Sequence, residues 1–125
     1  MNARGYQQYK EQSLNTMTQG ELLLLLLDEL VKRVIRADMA LDERDYPLFE
    51  ASTDRCIDIV RYLDDTLDRR YEISRQLHRL YEFFCYDLNR IKIGRNKEEM
   101  ERLRPLIMDL RDTFREAEQL AREES

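Results

Sequence analysis

The sequence predicts an all-α protein, an antiparallel up-down-up-down four-helix bundle preceded by an N-terminal arm or short cap segment. Three observations carry this. Glycine and proline are scarce, at three and two in 125 residues, too few for the turns of a sheet fold. Apolar residues recur at three- and four-residue steps in four separate stretches. The stretches are joined by short connections, which force neighbouring helices to run antiparallel. The chain is long enough for one domain around a single core.

Residues 1–17, MNARGYQQYKEQSLNTM, hold no sustained period and are expected to form the arm, which carries Tyr6, Tyr9 and Leu14. Thr18-Gln19-Gly20-Glu21 fits a capping box, so the first helix is expected over 18–43. Its stripe is Leu23, Leu26, Leu27, Leu30, Val34, Ala37 and Leu41. Asp45-Tyr46-Pro47 offers an N-cap and a first-turn proline, and starts a second helix over 46–69. Phe49, Ser52, Cys56, Ile59, Val60, Leu63 and Leu67 form its stripe.

The third helix, over 71–93, carries Ile73, Leu77, Leu80, Phe84, Leu88 and Ile91 and should stop at Gly94. Asn96-Lys97-Glu98-Glu99 starts a fourth, over 96–122, with Met100, Leu103, Ile107, Leu110, Phe114, Ala117 and Ala121. Pro105 removes one backbone donor inside this helix and predicts a kink near 101–104. Residues 18–125 are thus expected to form the bundle domain.

The charges are abundant, at 38% of residues, and their net value is −5. A nucleic-acid binder usually carries a basic stripe that displaces counterions, so this balance argues against one and against general attraction to an anionic membrane. Basic residues are mostly arginine, and several sit four residues after an acid: Glu29–Arg33, Asp65–Arg69, Glu98–Arg102 and Glu118–Arg122. No signal-peptide core precedes Thr18. The run of six leucines at 22–27 is far short of the ~20 apolar residues of a membrane span. A cytoplasmic location is expected, with Cys56 and Cys85 as buried free thiols.

Little in the sequence carries chemistry. Asp64 and Asp65 are adjacent and point to different helix faces. Asp54 and Asp58 share a face, but Arg55 and Arg61 flank them, as on a solvated surface. His78 is the only histidine, and Arg75 stands where a Glu-x-x-His metal site needs a glutamate. There is no Gly-rich phosphate loop. The expectation is a non-enzyme without metal or cofactor.

What stands out is apolar residues off the core stripes: Leu24, Leu25, Val31, Ile35, Met39, Leu48, Ile57, Tyr62, Tyr81, Phe83, Tyr86, Leu106 and Met108. Each helix of a bundle touches two neighbours, so a broad apolar face accounts for many of them. The whole set, with a tyrosine-bearing arm, also fits a partner surface.

Several motifs, in order along nearly the whole chain, resemble those of flagellar export chaperones of the FliS type. They are Tyr6-x-x-Tyr9, Leu14-Asn15-Thr16 with Glu21-Leu22-Leu23, Leu63-Asp64-Asp65-Thr66-Leu67-Asp68, Leu80-Tyr81-Glu82-Phe83, and 110–117, LRDTFREA. The chain departs from the family at three places. Leu27 is followed by Asp28-Glu29 without the family's tyrosine, Phe114 replaces a tryptophan, and Ile93-Gly94-Arg95-Asn96 replaces an Ala-Asn. The resemblance implies a helical bundle that holds the disordered C-terminal segment of flagellin, prevents premature polymerisation and keeps the client export-competent. It also implies an arm able to cover the same apolar surface, and contact with the export machinery or a regulator.

The candidate partner-binding residues are then Tyr6, Tyr9 and Leu14 from the arm, with Ile57, Tyr62, Phe83, Tyr86 and Met108 from off-stripe positions. The alternative is a self-associating helical bundle, structural or regulatory, that binds another amphipathic helix. The expected state is a monomer or weak homodimer.

Overall fold

The computed structural model describes residues 4, 5, 8 and 17–124. The candidate residues Tyr6, Tyr9 and Leu14 lie outside these. The described chain contains helices α1 (Gln19–Asp42), α2 (Tyr46–Asp65), α3 (Ile73–Gly94) and α4 (Lys97–Glu123), packed as a four-helix bundle.

Three helices start on side-chain caps that satisfy backbone donors otherwise without partners. Thr18 accepts from the Glu21 amide at 3.1 Å, Asp45 from Leu48 at 3.3 Å, and Asn96 from Glu99 at 3.2 Å. Pro47 sits in the first turn of α2, where its missing N–H is harmless. Helix α3 starts without a side-chain cap.

Helix α2 ends four residues before the expected boundary. The Thr66 hydroxyl donates back to the Tyr62 carbonyl at 2.9 Å, and the Asp68 carboxylate accepts from the Arg70 amide at 3.0 Å. Such local bonds offer the backbone an alternative to further helix. Arg70 also meets Asp68 through its guanidinium, and these bonds hold the Asp68 carboxyl down at about 2. The expected Asp65–Arg69 pair is absent for this reason, and Arg69 approaches Asp64 at 3.9 Å instead. The pairs Glu29–Arg33, Glu98–Arg102 and Glu118–Arg122 are present, at 2.9, 3.6 and 3.8 Å.

Gly94 is the last residue of α3, but the left-handed residue that follows is Arg95, at φ 49°. Its guanidinium lies 3.6 Å from the centre of the Tyr46 ring, a cation–π contact that opposes the steric penalty. Helix α4 runs uninterrupted through Pro105. Both Pro105 and Glu101 are exposed, so the carbonyl left without a donor lies on the solvent side.

Cross-helix ion pairs set the directions. Glu21, Asp28 and Asp38 of α1 meet Arg122, Arg115 and Arg104 of α4 in reverse order. Asp54 and Asp64 of α2 meet Lys92 and His78 of α3, again in reverse. The core between them holds Leu27, Leu30, Val34, Phe49, Cys56, Val60, Phe84, Leu88, Ile91, Met100, Leu103 and Ile107. Off-stripe Val31, Ile57 and Tyr81 are buried as well, because their helices each pack on two neighbours. Conversely, Ile73, Ala117 and Ala121 of the expected stripes are exposed. Cys56 is buried, whereas Cys85 is only half-buried, a correction to the expected pair of buried thiols. No described helix is long and apolar enough to cross a membrane.

Candidate partner-binding groove

The leucine run opens α1, and its burial is uneven. Only Leu27 is buried; Leu22, Leu23, Leu24 and Leu26 are half-buried and Leu25 is 42% exposed. The cause lies across the bundle. Helix α4 runs antiparallel to α1 and contributes no buried residue beyond Ile107, so the first turns of α1 face a half-covering neighbour. Leu110 and Phe114 pack against the core there without being enclosed.

At this end of the bundle a groove of about 290 Å³ lies between the start of α1 and the facing ends of α2 and α3. Leu22, Leu23 and Leu26 of α1 line one side, and Tyr62, Leu67 and Leu77 line the other; Leu63 and Tyr81 form the floor. Gln19, Gly20, Thr66 and Asp68 make a sparse polar rim. Gly20 lies at that rim directly under the Glu118 carboxylate of α4, close enough that a Cβ there would displace the end of the glutamate side chain. The carboxylate thus lies over the first turn of α1, where the helix dipole favours negative charge.

Polar groups beside the groove are already engaged. His78 Nδ1 lies 2.7 Å from Asp64, and its Nε2 lies 2.5 Å from Glu82. Burial, with the nearby Asp64 charge, pushes the Tyr81 hydroxyl up to about 12, so it stays neutral. Among the described residues no group of three His, Cys, Asp or Glu side chains is placed to hold a metal ion. The groove offers apolar contact and shape, not reactive groups.

A second groove, of about 490 Å³, lies on the outer side of α1 towards the start of α2. Ile35, Met39, Ala40 and Leu48 supply its apolar surface; Lys32, Arg36 and Glu43 supply its charge.

The structure separates the candidate residues. Ile57 is 4% exposed and belongs to the core, so it offers a partner no surface. Tyr62 is half-exposed on the wall of the first groove. Phe83 and Tyr86 are exposed on α3, with Phe83 tilted against Phe84 and Arg90 lying over the Tyr86 ring at 5.7 Å. Phe83 is about 200° around the helix from Tyr81, which places it on a different side from the groove. Met108 is half-buried against the core.

Leu22, Leu23, Leu26, Leu67 and Leu77 line the groove and were not among the candidates. Four of them share the phase of the core stripes, so periodicity alone assigns them to the interior. For Leu22, Leu23 and Leu26 the signal is the six-leucine run itself, which is apolar on more sides than a core-facing helix requires; nothing comparable marks Leu67 and Leu77.

A family model described as "Flagellar protein FliS" matches residues 1–121. Over 119 residues the chain is 26% identical to the flagellar secretion chaperone FliS of Bacillus subtilis (strain 168), covering 95% of this chain and 90% of that protein.

Proposed function

The chain belongs to the FliS family of flagellar proteins, and on that premise we propose that it is a flagellar export chaperone whose client is the disordered C-terminal segment of flagellin. The family is one of chaperones, not of enzymes. The observation that supports the client reading is the groove lined by Leu22, Leu23, Leu26, Tyr62, Leu67 and Leu77, apolar walls with few polar groups to satisfy. This is the surface that an amphipathic client helix needs for helix-in-groove recognition.

Each client side chain fully buried there contributes about 1.5–3 kcal/mol. Ordering a segment that is disordered alone costs about 2–5 kcal/mol. Two or three apolar anchors offset that cost and leave a moderate net affinity, which suits a complex that must later release its client. Holding the polymerising segment away from its own copies prevents filament growth in the cytoplasm. Keeping it without a fixed fold suits passage through an export channel. In this reading residues 1–17 cover part of the same apolar surface when the client is absent, and the export machinery or a regulator receives the complex.

Calorimetric titration with the C-terminal ~50 residues of the organism's flagellin tests the reading. The expected result is a saturable one-to-one isotherm with a negative heat-capacity change. A flat trace with folded protein removes flagellin as client. Removing residues 1–17 should shift the affinity, and unchanged binding removes the covering role of the arm.

A further inference from the structure

Helix α4 is fastened to the bundle in two different ways along its length. Its first half is held by burial: Met100, Leu103 and Ile107 are fully enclosed. From Met108 to Glu123 no residue is buried. Met108, Leu110 and Phe114 touch the core from its edge, and Ala117, Leu120 and Ala121 are exposed. Charge fastens this second half to α1. Asp28 takes Arg111 at 3.4 Å and Arg115 at 3.0 Å, and Glu21 takes Arg122 at 3.5 Å. Glu118 sets its carboxylate against Gly20 in the first turn of α1.

This half of α4 covers a definite part of the leucine run. Leu24 stands three residues after Glu21 and four before Asp28, so it shares their side of α1, the side that α4 approaches. It is half-buried there. Leu22 and Leu26 line the groove instead, a site to which α4 contributes no wall. The run is therefore covered on one side by a helix that only ion pairs and edge contacts hold down.

We propose that residues 108–123 form a strap over the start of α1, held by an ionic latch, that opens as one unit while the rest of the bundle stays folded. Exposed ion pairs hold weakly and are screened by salt. The Arg115 and Arg122 side chains, 46% and 64% exposed, are open to that screening. Opening breaks these charged contacts but extracts no enclosed side chain, and regions with few buried apolar contacts open at far less cost than the whole fold. A segment this short is only marginally helical once detached, so opening also releases its backbone hydrogen bonds. The open state bares Leu24, Leu110 and Phe114, an apolar face on the opposite side of the leucine run from the groove. Ionic strength and the charge on Asp28 and Glu21 set how often that face appears. The device is independent of the client reading, because every residue lining the groove lies outside α4.

Amide hydrogen exchange of the full chain, read residue by residue by NMR at about 20 mM and about 500 mM salt, tests the proposal. The amides of 112–121 should exchange together, at least about tenfold faster than those of 101–107, with a step between the two groups. High salt should speed 112–121 by about threefold or more relative to 101–107 in the same sample. Asp28→Asn removes the two central pairs and should speed the whole strap at low salt. Glu21→Gln acts at the far end, on Arg122, and should speed the amides near Arg111 as well, because a unit opens as one. Both substitutions keep size and helical shape, and circular dichroism confirms that each variant is folded. A smooth rise in exchange towards the C-terminus is ordinary fraying and overturns the strap, as does a Glu21→Gln effect confined to the last turn. Equal protection of 101–107 and 112–121 overturns the opening. Exchange indifferent to salt and to Asp28→Asn overturns the ionic latch.

Discussion

Asp38 of α1 accepts a hydrogen bond from Arg104 of α4 at 2.7 Å and pairs with Lys97, while its own side chain is only 6% exposed. Lys97 also reaches Asp42 at 2.8 Å. Desolvation of Lys97 opposes its charge, yet the two carboxylates outweigh it and raise its pKa. This cluster joins the end of α1 to the start of α4, on the half of α4 that is buried. Removing Asp38 leaves two cations facing each other. They are 35% and 42% exposed and can hydrate, so the loss falls below the 3–5 kcal/mol of a fully buried broken pair. Asp38→Ala should destabilise by about 2–3 kcal/mol, read from urea unfolding midpoints, and Asp38→Asn by roughly half as much.

Arg44 and Arg95 both occupy the left-handed region, at φ 60° and 49°. That conformation costs a non-glycine residue about 1–2 kcal/mol, while glycine adds about 0.5–1 kcal/mol of unfolded-state entropy. Arg44→Gly should therefore stabilise by about 0.5–1 kcal/mol, visible as a thermal midpoint raised by a few degrees. Arg95→Gly loses the contact over the Tyr46 ring and should gain less or nothing. An equal gain at both sites would show that the ring contact contributes no stability.

Asp87 of α3 is buried and hydrogen-bonded to Glu99 of α4. Burial raises its pKa above the usual 3.8; the bond to Glu99 and the Glu99 charge act in the same direction, and Arg90 and Arg102 oppose them. The folded chain therefore binds this proton more tightly than the unfolded chain. The favourable contribution is present below the unfolded value and is lost as pH rises through the folded one. Asp87→Asn keeps a donor towards Glu99 without a titrating group. It should match the wild type near pH 4 and exceed it at pH 7, as measured by urea unfolding at both. A variant less stable at pH 7 would contradict this sign.

The two thiols should differ in reactivity. Burial pushes Cys56 up to about 12, whereas Cys85 is half-buried and raised less decisively. Thiolate is the reactive form, and access limits both. Under native conditions at pH 8 a disulfide reagent should label Cys85 slowly and leave Cys56 unmodified, with both labelled after denaturation. Mass spectrometry of the labelled peptides decides.

The helices and most of the core were legible because a buried helix face must repeat near 3.6 residues. Leu30, Val34, Phe84, Leu88 and Ile107 fall on that period and are buried. A period reports which way a face points but not how far its neighbour extends. Leu23, Leu26 and Leu77 therefore read as core, although they are only partly buried and line the open groove. Ile57 and Tyr81 are the converse, off the stripe yet buried by a second neighbour. Thr66 and Asp68 hid the early end of α2, because their effect depends on local bonds that spacing does not record.

Tyr62 and Phe83 divide the client question between two surfaces. Both are about half-exposed, so truncating either should leave the fold within about 1 kcal/mol of the wild type. Tyr62 forms a wall of the leucine groove, and Phe83 lies on the outer side of α3. If the client helix seats in the groove, Tyr62 is an aromatic at its contact surface, the residue type whose truncation commonly costs more than 1 kcal/mol of binding. Tyr62→Ala should then lower flagellin affinity about tenfold, while Phe83→Ala and Tyr86→Ala change it little. The reverse pattern would move the seat to α3, and equal losses would mean a client that wraps across both faces. Calorimetry on the three variants separates these outcomes, and unfolding midpoints for the same samples exclude loss of fold as the cause.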